Sequence, residues 1–536
     1  MRLSKTVWWM GLLVFLAELS FGFWMAVTNQ YIPGDALSRV ANAYYVLYSR
    51  DPHLAAIGFV WNPLPSLLTL PVLLAWPLYP ELASSGLAGV ILTGLAAAGT
   101  AMMLFHHFIK RGQPYFLSLI LCLLVSFNPF LFLYGSNGMS ESLFIFFLVW
   151  AVLYLTKWFD RSGMDSIIHV GVTLTFAFLT RYEAVAFGAC LALSVVLFIW
   201  SQRRIILEQW TYREIYRKIE ATEIVLLSPV FYSGILWIVL NYMIMNDPLY
   251  FLRSNYSNLG QAQQLAENTS IGPLIGHPGV AMQFILIRSA CFVLPLAAIL
   301  FMRLWQRTLF HMDFAIILLL IASIPAMQFV MLVKGSSYGW LRFFVYPLPL
   351  AAAWLPYELQ RQRAKGPFGY WTAAAVSVLL LLGSAAMTWQ AMQKYELAPE
   401  EYEAIHYKES ATLQKTIVAK QIAEDLDRRV AENPELHILT DSFNAFQIIL
   451  NVRHSNNLVI TSDRDFTPSL AAPYERKVQF ILVPNPTGIA GLNAVNQKYG
   501  ELYEKGTSWA RLEKEYAGGW RLYRVTGPIP TQRKPS

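Results

Sequence analysis

Charge and cysteine are both scarce in this chain. Only 14% of its 536 residues are Asp, Glu, Lys or Arg, while 55% are hydrophobic. Soluble domains carry about a quarter of their residues as charges, so that class is excluded. The three cysteines, Cys122, Cys190 and Cys291, all fall in apolar runs. They supply neither a disulfide framework nor a CxxC metal site, and they read as buried thiols. No small-residue cleavage pattern follows the first apolar run, so MRLSK and the stretch to about Ala26 are expected to form a retained signal anchor.

What the chain has instead is length in its apolar runs. Stretches near 7–27, 86–106, 115–134, 139–157, 223–245, 281–302, 313–334 and 369–391 are long enough to cross a bilayer, with weaker runs at 165–180, 184–200 and 342–358. Seventeen Trp and 27 Tyr suit a protein with much surface at headgroup depth. The net charge of +7 comes from basic loops between spans and does not indicate nucleic-acid binding. The run 64–79 is broken by Pro63, Pro65, Pro71, Pro77 and Pro80, so it is expected to be interfacial or re-entrant. With the N-terminus inside, the basic clusters Lys110/Arg111, Lys157/Arg161, Arg203/Arg204, Arg303/Arg307 and Arg361/Arg363 all fall on the inner side. Counting 64–79 as a span would reverse this. The reading is a polytopic α-helical membrane protein of about 11 transmembrane helices over 1–392, with a long first outer loop at 28–85. An extracytoplasmic α/β domain follows at 393–536. In that domain a helix is expected over 409–430, with Leu413, Ile417 and Leu426 on its apolar side. Strands are expected at 437–441, 457–461, 478–484 and 520–525, and the tail from Thr526 is expected to be disordered.

The residues able to carry chemistry gather in the outer connections. Asp35 opens an expected interfacial helix over 36–49, either as its cap or as a general base. The same loop holds Arg39, Arg50, Asp51, His53 and Asn62; with Asp35, the last three could be read as metal ligands, but no spacing is diagnostic and a divalent ion is not favoured. In the next outer turn, SNGMSES, Glu141 stands at a helix start. Arg181 and Glu183 lie between two short apolar runs, where charges are expensive unless paired or lining a cavity. Arg288 and Glu18 sit within apolar runs and could pair with each other; otherwise Arg288 could face an anionic headgroup. Lys334 and Arg342 flank the turn KGSSYGWLR, which also carries Tyr338. Several cations at one depth suit a phosphorylated lipid. Tyr44, Tyr45, Trp61 and Tyr338 could wall a sugar or lipid, or serve as interfacial anchors. Asn255-Tyr-Ser and Asn268-Thr-Ser match glycosylation sequons.

This layout resembles the GT-C superfamily of integral membrane glycosyltransferases, in particular its protein O-mannosyltransferase and aminoarabinose-transferase branch. The resemblance rests on an anchor span followed by an outer loop with an early acid (Gly34-Asp35), the Pro-rich WNPLPSLLTLP, the basic turn HHFIKRGQP, Glu141 at the family's second acidic position, and QIAEDLDRRVAENPELHILTDS opening the outer domain. Two departures stand out: Ala36 follows Asp35 where a second acid is common, and Glu141 replaces Asp. The resemblance implies transfer of one sugar from a polyprenyl-phosphate donor to an acceptor hydroxyl of a lipid, protein or glycan, with inversion, at the outer face of the plasma membrane. Asp35 and Glu141 would be catalytic, and Arg39, His53, Asn62, Arg181, Glu183, Arg288, Lys334, Tyr338 and Arg342 would bind substrate. No cofactor is implied. A transporter or flippase of a lipid-linked sugar is the alternative, although it would be expected to show internal repeats, and none is visible. A scaffold whose outer domain binds a partner, and en bloc oligosaccharide transfer, are further readings.

Overall fold

The computed structural model describes residues 4–202, 211–257, 260 and 270–530. Arg203, Arg204, the sequon residue Asn268 and the tail after residue 530 lie outside the described residues. In chain order the longer helices begin with α1 (Lys5–Phe23), α2 (Gly34–Tyr48), α3 (Leu64–Leu73) and α4 (Leu87–Lys110). Next come α5 (Tyr115–Ser126), α6 (Pro129–Ser136), α7 (Ser140–Arg161), α8 (Met164–Thr180), α9 (Ala184–Ser201) and α10 (Tyr212–Met245). They continue as α11 (Pro278–Ser289), α12 (Leu294–Trp305), α13 (Met312–Val333), α14 (Pro347–Arg363), α15 (Pro367–Met392) and α16 (Pro399–Ile405). The last two are α17 (Ala411–Glu432) and α18 (Ser442–Asn451).

By length and composition, seven of these helices can cross a bilayer, or nine when two bent pairs each count as one span. The bends have local causes. α5 and α6 meet at 66° where the Asn128 side chain caps the new helix and Pro129 takes its first position. α11 and α12 meet at 86°, with Pro295 in the first turn of the second helix. Of the two 17-residue helices, α8 is apolar but short for a span, while α14 carries Glu358, Arg361 and Arg363 and is not among the apolar helices. The expected eleven spans therefore exceed the number counted among the described residues. Residues 64–79 form no span: α3 ends after 10 residues and turns follow.

The chain divides into two compact units. The first comprises Met1–Gly22, Val90–Leu249 and Leu265–Ile405; the second comprises Phe23–Gly89, Tyr250–Gln264 and His406–Ser536. The packed units therefore group most of the first outer loop with the C-terminal segment, where the sequence reading divides the chain at 392/393.

The first unit is the helix bundle. Small residues let its helices approach closely: a Cβ on Gly135 would stand 2.3 Å from a carboxyl oxygen of Glu18, so α1 and α6 meet with that acid between them. Glu18 also lines a small cavity of about 30 Å³ with Thr100, Ser126, Tyr134 and Ser142. The pairing of Glu18 with Arg288 does not form; Arg288 donates to the Glu396 carbonyl instead, at 2.9 Å. At the end of the bundle where α12 and α14 finish and α13 begins, Arg303 is fully buried. It forks onto both oxygens of Asp313 at 2.9 and 2.8 Å, and its Nε donates to Glu358 at 3.0 Å. Arg303, expected in an exposed basic loop, is thus the centre of an ion cluster closed further by Arg361 on Asp313.

The second unit is an α/β sandwich of helices on one small sheet. Strands β1 (Ile438–Thr440), β2 (Leu458–Ile460), β3 (Phe480–Pro484), β4 (Ala510–Tyr516) and β5 (Trp520–Val525) take the order β2-β1-β3-β5-β4. The first three are parallel and the β4–β5 pair is antiparallel. Leu439, Val459, Ile481, Val483, Trp509 and Tyr523 form the core. On α17 the buried side is Thr416, Ala419, Ile422, Ala423, Leu426 and Val430, so Ile417, expected inside, is exposed. Helix α2 packs against α3 and α18, and Ala36, Leu37, Val40 and Tyr44 on it are buried. Tyr44 and Tyr45 are buried packing residues and not sugar walls, and the Tyr44 hydroxyl donates to Ser455 at 3.1 Å. Beyond α2, Arg50 pairs with Asp463 at 3.3 Å and with Asp465, while Asp51 receives the Arg464 Nε at 2.9 Å.

Two measurements test these packings. Arg303→Met leaves Glu358 buried without its partner and is expected to cost about 3–5 kcal/mol, read as a fall in melting temperature in detergent; pairing it with Glu358→Met is expected to restore part of the loss. Burial lifts the Asp463 carboxyl to about 6, against the pull of the Ile460 N–H and Arg50. A raised carboxyl favours the folded state most below its unfolded value near 4, and that contribution fades as pH climbs through 6. Asp463→Asn is therefore expected to flatten a fall in stability between pH 4 and 7 of at most roughly 3 kcal/mol. Unfolding profiles of the two proteins that stay parallel across this window would contradict it.

Candidate active site

Four connections place charged side chains at the end of the bundle opposite Arg303. Glu141 lies in the first turn of α7, just past the positive-φ Gly138. Arg181 ends α8 in extended backbone, and Glu183 begins α9 two residues later. Arg342 sits in a single helical turn, Leu341–Phe344, that follows Gly339 at φ +60°. Glu400 and Glu401 lie on α16, just beyond the last long helix of the bundle.

The centre is Arg181. Its Nη2 and Nε reach the two oxygens of Glu183 at 2.6 and 3.2 Å, and its Nη1 contacts Glu141 and, at 3.3 Å, the Ser140 hydroxyl. One guanidinium thus ties the ends of α7, α8 and α9. Burial alone would raise the Glu183 carboxyl, but the Arg181 fork more than offsets it and holds the group below the usual range. Burial opposes the Arg181 charge, and Glu141 and Glu183 reverse that effect and stabilise it. The pair Arg181–Glu183 therefore forms as the sequence allows, with Glu141 added as a second acid.

Arg342, also buried, reaches the same Glu141 oxygen at 3.5 Å and Glu400 at 3.3 Å. Its guanidinium lies 4.1 Å over the Trp340 ring, and Tyr338 stacks on Trp340 at 4.6 Å with 8° between planes. The aromatic turn thus holds the arginine in place. The other Glu141 oxygen is buried and finds no hydrogen-bond partner among the described residues. Tyr134 donates to Glu401 at 2.5 Å, and burial raises that carboxyl despite the bond. Arg288 packs 3.5 Å over Phe284 near Glu401. Lys334 caps α13 and is exposed.

Of the residues expected to form a site, Glu141, Arg181, Glu183, Arg342 and the Tyr338 stack converge, and Arg288 shares Glu401 as a neighbour. Asp35, Arg39, His53 and Asn62 belong to the second unit. Helix α2 starts at Gly34 with Pro33 as its cap residue, so Asp35 lies inside the first turn. It shares a helix face with Arg39, one turn on, whose guanidinium is 5.5 Å from the Trp61 ring. The His53 Nδ1 is 2.6 Å from the Asp51 carbonyl. Among the described residues no three His, Cys, Asp or Glu side chains are placed to hold a metal ion. Tyr134, Glu400 and Glu401 escaped the sequence reading. Tyr134 is hidden in an apolar run, and the acids of APEEYE are ordinary for a connector; their only signal is that both follow a span directly.

This fold, a helix bundle with a small α/β unit, is shared by a solved structure. In particular, it is similar to the crystal structure of ArnT from Cupriavidus metallidurans bound to undecaprenyl phosphate, with a TM-score of 0.54 and 12% identity over 99% of this chain and 100% of that one. The archaeal oligosaccharyltransferase AglB from Archaeoglobus fulgidus, in complex with an inhibitory peptide and a dolichol-phosphate, also matches, at a TM-score of 0.44 and 12% identity over 99% of this chain and 76% of that one. No family model and no curated protein matches the chain.

The weight carried by the fork can be measured. Arg181→Met strands two buried acids and is expected to lose about 3–5 kcal/mol. Arg181→Lys keeps the charge without the fork, so its melting temperature should fall between the two. Equal melting of all three proteins would show that the fork contributes nothing.

Proposed function

We propose that this multi-pass membrane protein is a glycosyltransferase that moves a single sugar from a polyprenyl-phosphate donor to an acceptor hydroxyl. The observation that carries this reading is the buried arginine cluster at one end of a bundle whose fold, in ArnT, accompanies bound undecaprenyl phosphate. The reaction is placed at the outer face of the plasma membrane, with the N-terminus cytoplasmic and the C-terminal domain extracytoplasmic.

In this reading Asp35 takes the proton from the acceptor hydroxyl as it attacks the anomeric carbon. Direct attack inverts that centre. The bond to the donor phosphate breaks, and the charge that builds on the phosphate is met by cationic donors, chiefly the Arg342 guanidinium with Arg288 and the Lys334 ammonium. Arg181 has its fork committed to Glu141 and Glu183, and supports the site by holding both acids. The unpartnered Glu141 oxygen is suited to accept a sugar hydroxyl, since an unsatisfied buried acceptor costs about 1–3 kcal/mol until a donor arrives. Phosphate needs little acid assistance as a leaving group once cations neutralise it, so the reaction is proposed to run without a metal.

The test is sugar transfer by purified protein in nanodiscs offered a panel of polyprenyl-phosphate sugars, with and without EDTA. Asp35→Asn is expected to bind donor normally and to lose transfer by about 10²–10⁴-fold. Full activity in the variant would remove Asp35 as the base. Donor binding without turnover in either protein, acceptor present, would favour a transporter of lipid-linked sugar.

A further inference from the structure

The charged end of the bundle has a balance problem. Glu141, Glu183, Glu400 and Glu401 face Arg181, Arg288 and Arg342. With every acid ionised the cluster is negative by one; with the buried Glu401 holding its proton it is neutral. Neither state has positive charge to spare for an anion. A phosphate that takes Arg342 must displace a carboxylate from it.

Geometry selects which one. The side chain of Glu141 is fully buried and that of Glu183 is 10% exposed, both locked to Arg181, while Glu401 is 1% exposed and bonded to Tyr134. Glu400 is 31% exposed, and it pairs with Arg342 at 3.3 Å. It also lies on a short helix in a connector, not on a long helix of the bundle. That connector, 394–405, is fastened to the charged end at three points: Arg288 on the Glu396 carbonyl, Arg342 on Glu400 and Tyr134 on Glu401. Two of the three fastenings are arginines that an anion would attract.

We infer that Glu400 is an exchangeable counter-ion for Arg342, holding the guanidinium in the ligand-free protein and surrendering it to an arriving phosphate group. On exchange, the strap 394–405 loses its middle fastening and loosens. The exchange rests on the glycosyl-transfer reading for the lipid that bears the phosphate; the shared chemistry is a phosphate monoanion or diester. Loss of the pair on ligand binding makes Glu400 a brake on affinity for donor and spent carrier alike.

The experiment measures undecaprenyl phosphate binding to the full chain in nanodiscs, with inorganic phosphate in a parallel titration. Glu400→Gln is expected to bind undecaprenyl phosphate about three- to ten-fold more tightly, the range for one partly exposed ion pair. Glu403→Gln, on the same helix, should leave affinity unchanged. Hydrogen exchange of amides 399–405 in the wild type should accelerate when the lipid is added. Tightening with inorganic phosphate as well would place the exchange at the phosphate alone; tightening with the lipid only would tie it to the lipid site. Both support it. Wild-type binding with unchanged or weaker affinity in Glu400→Gln, equal tightening in Glu403→Gln, or amides 399–405 that slow or stay constant would each overturn the exchange while leaving the transfer reading intact. A wild-type protein that binds no undecaprenyl phosphate would overturn both.

Discussion

A charge held inside a helix bundle must be matched where it stands, because removing it from water costs several kcal/mol that only close partners can offset. This protein meets the constraint in the same way at both ends of the bundle, with an arginine shared between two carboxylates. At one end Arg303 bridges Asp313 and Glu358; at the other Arg181 bridges Glu141 and Glu183. Each arginine gathers the ends of three helices, so the charges act as the registration points of otherwise non-directional apolar packing. The ends differ in what surrounds the fork. Around Arg303 the partners all belong to long helices. Around Arg181 a second arginine, an aromatic stack and a connector acid are added, and this asymmetry distinguishes a structural clasp from a site that can exchange partners.

In the second unit the organising interaction is complementary order along the chain. Arg50-Asp51 meets Asp463-Arg464-Asp465 with the signs alternating, so a one-residue slip would bring like charges together. Helix α2 has an apolar side, from Ala36 to Tyr44, that a loop at a membrane surface could not cover with its own residues. Packing on α3 and α18 covers it, and the ion pairs fix the register of the loop against the α/β domain. The helix that carries Asp35 is thereby held by the α/β domain and not only by its neighbours in sequence.

Hydrophobic run length made most of the bundle legible, because a bilayer imposes one length scale on every span. The strands β1, β2, β3 and β5 were equally readable from β-branched and aromatic runs. Strand β4 was not: ARLEKEY is an edge strand whose charges guard an open side, which is the opposite of a core-strand pattern. Local pairs such as Arg181–Glu183 were visible for the same reason that runs were, since both partners lie in one window. The tie from Arg342 to Glu400 and the partnership of Tyr134 with Glu401 join residues far apart in sequence, and nothing local marks them. Asp35 illustrates a subtler gap. Its place at a helix start was legible, but Pro33 shifts the start back by fixing its own φ, so the acid enters the first turn and is not the cap residue.

In the proposed reading, the surplus of acids at the charged end follows from what an anion site must survive when empty. Three arginines gathered at low dielectric without counter-ions would repel one another and would each lack hydration, a cost that no apolar packing in the bundle could absorb. Internal carboxylates remove that cost, but every carboxylate also competes with the ligand. A workable arrangement makes some ties permanent and at least one breakable. Forked, buried ties to Arg181 are the permanent kind, because exchanging them would expose two acids at once. In the proposed exchange, the tie from Glu400, 31% exposed and carried on a connector, is the breakable kind. The division of labour between Arg181 and Arg342 is therefore set by the geometry of their partners and not by the arginines themselves.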